Sequence, residues 1–341
     1  MSVQQRPPES GSRVTIGDVA RHAGVSPTTV SHVLSGKRLV GSATRERVAE
    51  AIEELGYRPN SAARQLRTKR SCAVAVLVPD LTNPFYSALT RGLADAVGGS
   101  EYGTYVCNTD GSLERERMFL HDVLDRGADG IVMASSANMP KERDLTPTRF
   151  GPPVVCIGED YLELDADFVT TADRVGARAA TAHLLARGTT RVAMIQGPPD
   201  GGVQRTLGYV DALNAAGHEP DPALQVHGDW TRPSGREAMR TLMAQRPRPD
   251  AVFCANDLMA IGAMDVIHEL RLRVPDDVAL VGFDDVDAAT IVTPALTTVR
   301  NPAYDIGHEA GQLLLSRMRG EYSGPSRTVS LKCPLVERES G

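Results

Sequence analysis

No run of 18 apolar residues occurs anywhere in the 341 residues, and a membrane-spanning helix needs about 20. The opening stretch MSVQQRPPESGSR is polar and rich in Pro, Gly and Ser, with no apolar signal-peptide core. A cytoplasmic protein without a membrane partner is expected. Cysteine is scarce and odd in number: Cys72, Cys107, Cys156, Cys254 and Cys333 lie far apart. Four fall in apolar strand-like runs and Cys333 beside one, so buried, reduced thiols are expected rather than disulfides. Catalytic signatures are missing too. No strand-like run leads into G-x-G-x-x-G or a P-loop, and no G-x-S-x-G elbow occurs. No His/Cys pair has metal-ligand spacing, which leaves the acidic GFDDVD as the one candidate for a cation. An enzyme, a cofactor and a metal are therefore not expected.

What is present is a chain long enough for two or three domains, with 41% hydrophobic residues and a net charge of −6. The charge is unevenly placed. Residues 1–70 hold 12 Lys/Arg against 6 Asp/Glu, and the remainder holds 25 against 37. A basic head on an acidic body points to the head as the part that meets a polyanion.

The head begins with TIGDVARHAGVSPTTVSHVLSG, Thr15 to Gly36. Thr15 is placed to cap a helix, with Asp18 closing a capping box, and Val19 and Ala20 face inward. Gly24 permits a tight turn. Ser26 is the next N-cap, and Pro27 suits the first helical position. Val30, Val33 and Leu34 form one apolar face. The opposite face shows Thr28, Thr29, Ser31 and His32, short hydrogen-bonding side chains on a helix narrow enough for a major groove. The plainer alternative is a helical hairpin with a solvated polar face. A third helix, capped by Ser42, carries the stripe Val48, Ile52, Leu55. Beyond the turn at Arg58-Pro59, Asn60 is placed to cap a short helix running to Leu66, too short to stand without a partner.

From Cys72 the pattern changes. CAVAVLV, TYVCN, GIVMAS and VVCIG, then RVAMIQG, LQVHGD, AVFCAND and VALVGFDD, are apolar runs separated by amphipathic stretches. Two such series predict two α/β subdomains built on buried parallel strands. Ligands bind beyond the carboxyl ends of such strands. The residues leaving them are Asp80, Asn83, Phe85 and Tyr86, Ser135 and Ser136, Asp229-Trp230, Asn256-Asp257 and Asp284-Asp285. Carboxylates, amides and one indole suit a hydroxyl-rich ligand, although a lone strand-end acid such as Asp257 also serves simply as a helix N-cap.

TIGDVARHAGVSPTTVSHVLSG, TRERVAEAIEELGYRPN and ARQL together resemble the DNA-binding headpiece of the LacI family of bacterial transcription regulators. TTVSHVL is similar to the recognition helix of its purine repressor-type members. RTLGY (Arg205 to Tyr209), GDW, ANDLMAIGA and VGFDD extend the likeness to near Glu337. The resemblance implies an all-α helix-turn-helix headpiece followed by an α/β, periplasmic-binding-protein-like regulatory domain of two doubly wound subdomains. It implies a homodimeric regulator, a repressor, on palindromic double-stranded operator DNA, controlled by a small polar effector between the lobes.

The DNA-contacting set is then Thr15, Arg21, Ser26, Pro27, Thr28, Thr29, Ser31, His32, Lys37, Arg45, Asn60, Ala63 and Leu66. Thr28, Thr29 and His32 read bases, Arg21, Lys37 and Arg45 meet phosphates, and Leu66 is a minor-groove wedge. The effector set is Asn83, Phe85, Tyr86, Ser135, Arg205, Trp230, Asn256, Asp257 and Asp284. A sugar or sugar derivative is favoured over a purine or nucleoside. Where many relatives place an Asp, this chain has Gly158 followed by Glu159, and no clear aromatic pair stands in the second lobe.

The expected boundaries are a disordered tail at 1–13, the headpiece at 14–59, a hinge helix and linker at 60–71, and the regulatory domain at 72–338. Within the last, one subdomain takes 72–172 and 301–322 and the other 173–300 and 326–338. The crossings fall near Ala172–Asp173, Val299–Asn301 and Tyr322–Ser326. The rival readings are a cytosolic α/β solute-binding protein and a nucleotide-dependent enzyme.

Overall fold

A computed structural model describes residues 14–36, 38–58, 70–100, 102–134, 151–158, 166–199 and 201–341. The chain divides into two compact units, residues 1–71 and 72–341.

In the first unit, α1 (Ile16–His22) starts from Thr15, whose side chain and that of Asp18 form the reciprocal capping box. Ser26 caps α2 (Pro27–Ser35) by accepting from Thr29 N at 3.1 Å. Gly24, at φ 65°, makes the turn between the two helices. The third helix, α3 (Ser42–Leu55), departs from expectation: its N-cap is Gly41 with no side-chain bond, and Ser42 is already helical. Val19, Ala20, Ala23, Val30, Val48 and Ala51 make a small core, with Val33, Ile52 and Leu55 packed on its margin. Leu34 is not part of that face; it is 41% exposed. Nine residues of α2 complete only two and a half turns, and the turn that would bury Leu34 ends at the left-handed Gly36.

The second unit holds two six-stranded sheets. The first contains β1 (Ala73–Val78), β2 (Gly103–Asn108), β3 (Gly130–Met133), β4 (Val154–Ile157), β5 (Asp167–Thr171) and β11 (Thr328–Leu331), in the order β11-β5-β4-β3-β1-β2. The second contains β6 (Val192–Gln196), β7 (Gln225–His227), β8 (Ala251–Cys254), β9 (Ala279–Asp284), β10 (Thr297–Arg300) and β12 (Leu335–Val336), in the order β12-β10-β9-β8-β6-β7. All recorded pairings are parallel except β10 with β12. In both sheets the strand order reverses at the first strand, the doubly wound arrangement that creates a switch point for ligands.

The helices are α4 (Pro84–Gly98), α5 (Leu113–Asp125), α6 (Asp173–Ala186), α7 (Val203–Ala215), α8 (Arg232–Met243), α9 (Asp257–Glu269), the single turn α10 (Ala288–Ile291) and α11 (Ala303–Met318). α4 and α11 approach so closely that a Cβ on Gly92 or Gly307 would strike backbone of the other helix.

β5, β10, β11 and β12 were not among the expected strands. Asp167, Thr170 and Thr171, and Thr297 and Thr298, interrupt the apolar runs that mark buried strands. Asp167, Thr297 and Thr298 are buried with hydrogen bonds to Arg317 and Arg327, to Arg338 N and to Asp257, so these strands form without a continuous apolar pattern.

The chain crosses between sheets three times: between β5 and α6, between β10 and α11, and between β11 and β12. The third lies at residues 332–334, not near Tyr322–Ser326. Asp167 explains the difference. It accepts from Arg317 Nη2 at 2.6 Å and from Arg327 Nη2 at 2.6 Å, and both guanidiniums lie over the Tyr322 ring. This bolt keeps residues 322–331 in the first lobe. The last residues also pack beyond the expected limit of 338: Ser340 is buried, donating to Leu280 O at 2.6 Å and accepting from Thr297 N at 2.9 Å.

Of the cysteines, four are buried and Cys72 is half-buried at the mouth of β1. No described helix is long and apolar enough to cross a membrane.

Candidate functional site

Arg205 is the centre of the second unit's polar interior. It lies in the first turn of α7, behind the left-handed Gly202, and it is 9% exposed. Its Nε donates to Asp173 Oδ2 at 2.8 Å and its Nη1 to Ala255 O at 2.5 Å. Nη1 also lies 3.4 Å from Asp284 Oδ1. The guanidinium carbon sits 3.7 Å from the Phe283 ring centroid and 5.7 Å from that of Trp230. β6, β8 and β9 deliver Arg205, Ala255 and Asp284 at their carboxyl ends, around the switch point of the second sheet, while Trp230 follows β7 and Asp173 follows β5.

One guanidinium serves two carboxylates here. Burial raises the Asp284 carboxyl to about 6, although Arg205 and Asn301 oppose the shift. Burial also works against the charge on Arg205, yet Asp173 and Asp284 hold its proton more firmly than usual. Asn301 Nδ2 donates to Asp284 Oδ1 at 3.2 Å, while the buried Asn301 Oδ1 has no partner among the described residues. A buried acceptor without a donor is costly, and a ligand hydroxyl would satisfy it.

All three crossings meet this cluster. Asp173 belongs to the first and Asn301 to the second. Cys333, from the third, directs its thiol at Asp173 Oδ1 at 3.8 Å, and burial pushes that thiol up to about 12. Ala172 N bonds Leu331 O at 2.9 Å and Arg300 N bonds Pro334 O at 2.8 Å, so the crossing strands are tied to one another as well.

The other expected residues take varied places. Asp257 is fully buried, accepting from Val286 N at 2.9 Å and Thr298 Oγ1 at 2.5 Å. Burial and the neighbouring Asp284 push its carboxyl well above the usual range. It clamps the loop after β9 and has no exposed surface for a ligand; the helix cap is Asn256 instead. Asp285 receives Arg300 and Arg338, at 2.8 and 2.5 Å. Asp229 orders its own turn through Thr231, as Asp80 does through Thr82. In the first lobe Asn83 caps α4, and Phe85 and Tyr86 meet edge to face at 5.1 Å on that lobe's core. Gly158 adopts φ 118°. Ser135, Ser136 and Glu159 lie outside the described residues.

Asp173, Asn301, Phe283 and Cys333 were not expected at the site. No local signal marks them except that two stand at expected crossings.

In the headpiece, Thr28 is exposed on α2, and Thr29, Ser31 and His32 are half-buried. Thr29 Oγ1 shares a 2.9 Å hydrogen bond with Ser26 Oγ. Pro27 and Arg45 are exposed, and Arg21 pairs with Asp18 at 3.0 Å. Thr15 is committed to the α1 cap. Lys37, Asn60, Ala63 and Leu66 lie outside the described residues.

A helix-turn-helix unit joined to two doubly wound lobes defines a DNA-binding transcription regulator with a periplasmic-binding-protein-like domain. Residues 15–60 match the profile described as bacterial regulatory proteins, lacI family, and residues 181–341 that of a periplasmic binding protein-like domain. The chain is 35% identical over 306 residues to the ribose operon repressor of Escherichia coli (strain K12), covering 89% of this chain and 93% of the relative. A transcriptional regulator CelR–cellobiose complex is 35% identical, with TM-score 0.73 and coverage of 96% and 100%. The lac repressor dimer bound to operator and the anti-inducer ONPF is 27% identical, with TM-score 0.87 and coverage of 96% and 99%. The chain belongs to the LacI family.

Proposed function

We propose that this protein represses transcription as a homodimer on a two-fold symmetric operator, and that a small hydroxyl-rich ligand, a sugar, held at Arg205 and Asp284 sets its affinity for DNA. The observation that carries this reading is the cluster of buried Arg205, Asp284 and Asn301 with half-buried Asp173, which touches every crossing between the lobes. A ligand that draws on Arg205 and Asp284 changes the balance of forces on all three connections at once. Only such differential contact between two states lets a ligand shift an equilibrium. The sugar-related names of two similar proteins favour that ligand class. Thr28, Thr29 and His32 are assigned to base edges, and Arg21, Lys37 and Arg45 to phosphates.

Dimerisation is supported by the operator-bound dimer among the similar structures. Apolar surface is available for it: Tyr105 on the edge strand β2 is 63% exposed and Ile291 on α10 is 77% exposed. One recognition helix reads only a few base pairs, so two are needed, on half-sites one helical turn or a small multiple apart.

The test is a gel shift on the DNA upstream of the protein's own gene, with and without D-ribose or cellobiose, using wild type and Asp284→Asn. The expected result is a two-half-site footprint whose affinity changes with sugar in wild type and stays constant in Asp284→Asn. A single half-site footprint, or an equal sugar response in both proteins, overturns the reading.

A further inference from the structure

Both lobes start their sheets with the same clamp. Asp129, the residue before β3, accepts from Cys72 N at 2.6 Å and from Ala73 N at 3.4 Å, and its own N donates to Ala73 O at 2.8 Å. Asp250, the residue before β8, accepts from Thr190 N and Arg191 N at 2.9 Å each, and its own N donates to Arg191 O at 3.2 Å. Val74 pairs with Gly130 as Val192 pairs with Ala251, so Cys72 and Ala73 correspond to Thr190 and Arg191. In each lobe one carboxylate takes the N–H groups that open the first strand.

The chain reaches the two clamps by different routes. In the second lobe it arrives from α6, and Thr189 Oγ1 donates to Leu184 O of that helix at 2.8 Å, so the start of β6 is held twice. In the first lobe it arrives from the segment that joins the headpiece, and β1 is the first element of its unit. Cys72 is left-handed at φ 55°, a conformation that a residue other than glycine keeps only where its surroundings impose it. Here they do: Asp129 takes the Cys72 N–H, and Gly103 N of β2 donates to the Cys72 carbonyl at 2.9 Å. The backbone at the root of the linker is thus gripped from both sides of β1.

We infer that Asp129 is a positioning residue that fixes the direction in which the linker leaves the regulatory domain, and so passes the state of the first lobe to the headpiece. This rests on the DNA-binding function proposed above and adds the point at which the lobe grips the linker. β3 runs from Asp129 to the carboxyl edge of the sheet, where doubly wound folds take ligands, so one buried four-residue strand separates the clamp from that edge. A fixed root presents two headpieces at a set spacing. A swivelling root lowers the effective concentration of the second headpiece once the first is bound, and more freedom is lost on binding. Asp129 itself touches no DNA; it acts through the backbone of Cys72 and Ala73.

The second lobe supplies the control, because Asp250→Ala removes the same kind of clamp from a strand that carries no linker. In full-length protein Asp129→Ala and Asp250→Ala should keep their circular dichroism and lose similar stability in urea. Hydrogen exchange should quicken at Cys72 and Ala73 in the first variant, and at Thr190 and Arg191 in the second. On the DNA upstream of the protein's own gene, Asp129→Ala should bind about tenfold more weakly than wild type. Its response to D-ribose or cellobiose should shrink, while its affinity for the sugar stays that of wild type. Asp250→Ala should bind the DNA as wild type does. Asp129→Asn keeps an acceptor oxygen without the charge and should lose only about threefold; with Asp250→Asn it replaces the alanine pair should those variants not fold. Unchanged exchange at Cys72 and Ala73 overturns the clamp. DNA affinity that falls equally in the Asp129 and Asp250 variants, or in neither, overturns the positioning role. Wild type that does not bind the DNA overturns the proposed function and the relay with it, while the exchange result still decides the clamp.

Discussion

The two lobes share a topology and each buries a cluster of arginine and aspartate, but the ratios are inverted. In the first lobe one carboxylate, Asp167, lies between two guanidiniums, Arg317 and Arg327, and every oxygen is bonded. Its carboxyl sits below the usual range because those hydrogen bonds outweigh its burial. In the second lobe one guanidinium, Arg205, lies between two carboxylates, and Asp284 is raised to about 6. The first cluster is complete and acts as a bolt. Among the described residues the second lacks donors: Asp284 shares its only cation, and Asn301 Oδ1 has no partner. A buried cluster short of donors is where a hydroxyl-bearing ligand gains most, so under the proposed function the same fold holds a fastening in one lobe and a receptor in the other.

The largest effect should come from removing the minority partner of the second cluster. Arg205→Ala leaves the buried Asp284 and the half-buried Asp173 without this cation and should cost about 3–5 kcal/mol. Arg327→Ala leaves Asp167 with Arg317 and should cost about 1–2 kcal/mol. Urea unfolding of the two variants decides the matter, and equal losses would dissolve the distinction between bolt and receptor.

The pH dependence should differ in sign. Asp167 titrates lower when folded than when unfolded, so its contribution is present above about pH 4 and is lost as pH falls through its folded value. Asp284 titrates higher when folded, at about 6. Its penalty is absent below about pH 4, grows as pH rises, and is complete above 6, amounting to about 3 kcal/mol. Asp284→Asn should therefore remove a downward slope in stability between pH 4 and 6, measured by urea midpoints. Ligand hydroxyls donate best to the ionised form, so sugar affinity should fall about fivefold from pH 6 to pH 5 in wild type. Isothermal titration on the same pair of proteins checks this.

In the headpiece the effects are smaller. His32→Ala should cost about 1–3 kcal/mol and relax one operator position, read as a position-by-position binding profile. The smallest contrast compares two serines: Ser26→Ala removes a cap bond and should cost about 0.5–2 kcal/mol. Ser42→Ala removes none and should stay within about 0.5 kcal/mol by thermal denaturation.

Much of this molecule was legible because it depends on neighbours in sequence. The capping box at Thr15 and Asp18, the Ser26-Pro27 start of α2, and the eight apolar runs that became strands all follow from periodicity and short-range hydrogen bonding. Arg205, Trp230 and Asp284 were legible as residues at or near strand ends, where doubly wound sheets bind ligands, and through the family likeness.

The sequence by itself determined the headpiece helices, eight of the twelve strands, where the positive charge concentrates, and that the chain belongs to the LacI family. Tertiary structure alone decided who partners whom. It assigned Asp257 to a buried clamp and Asp285 to Arg300 and Arg338, leaving Asp284 of the three to face Arg205. It moved the third crossing to 332–334, built β5, β10 and β11 from segments whose threonines and aspartate mask a strand pattern, and paired the two-residue β12 with β10. The reason is range. Periodicity and caps act over three or four residues, whereas Asp173, Arg205, Asp284, Asn301 and Cys333 come from five separate segments that meet only when both sheets are folded.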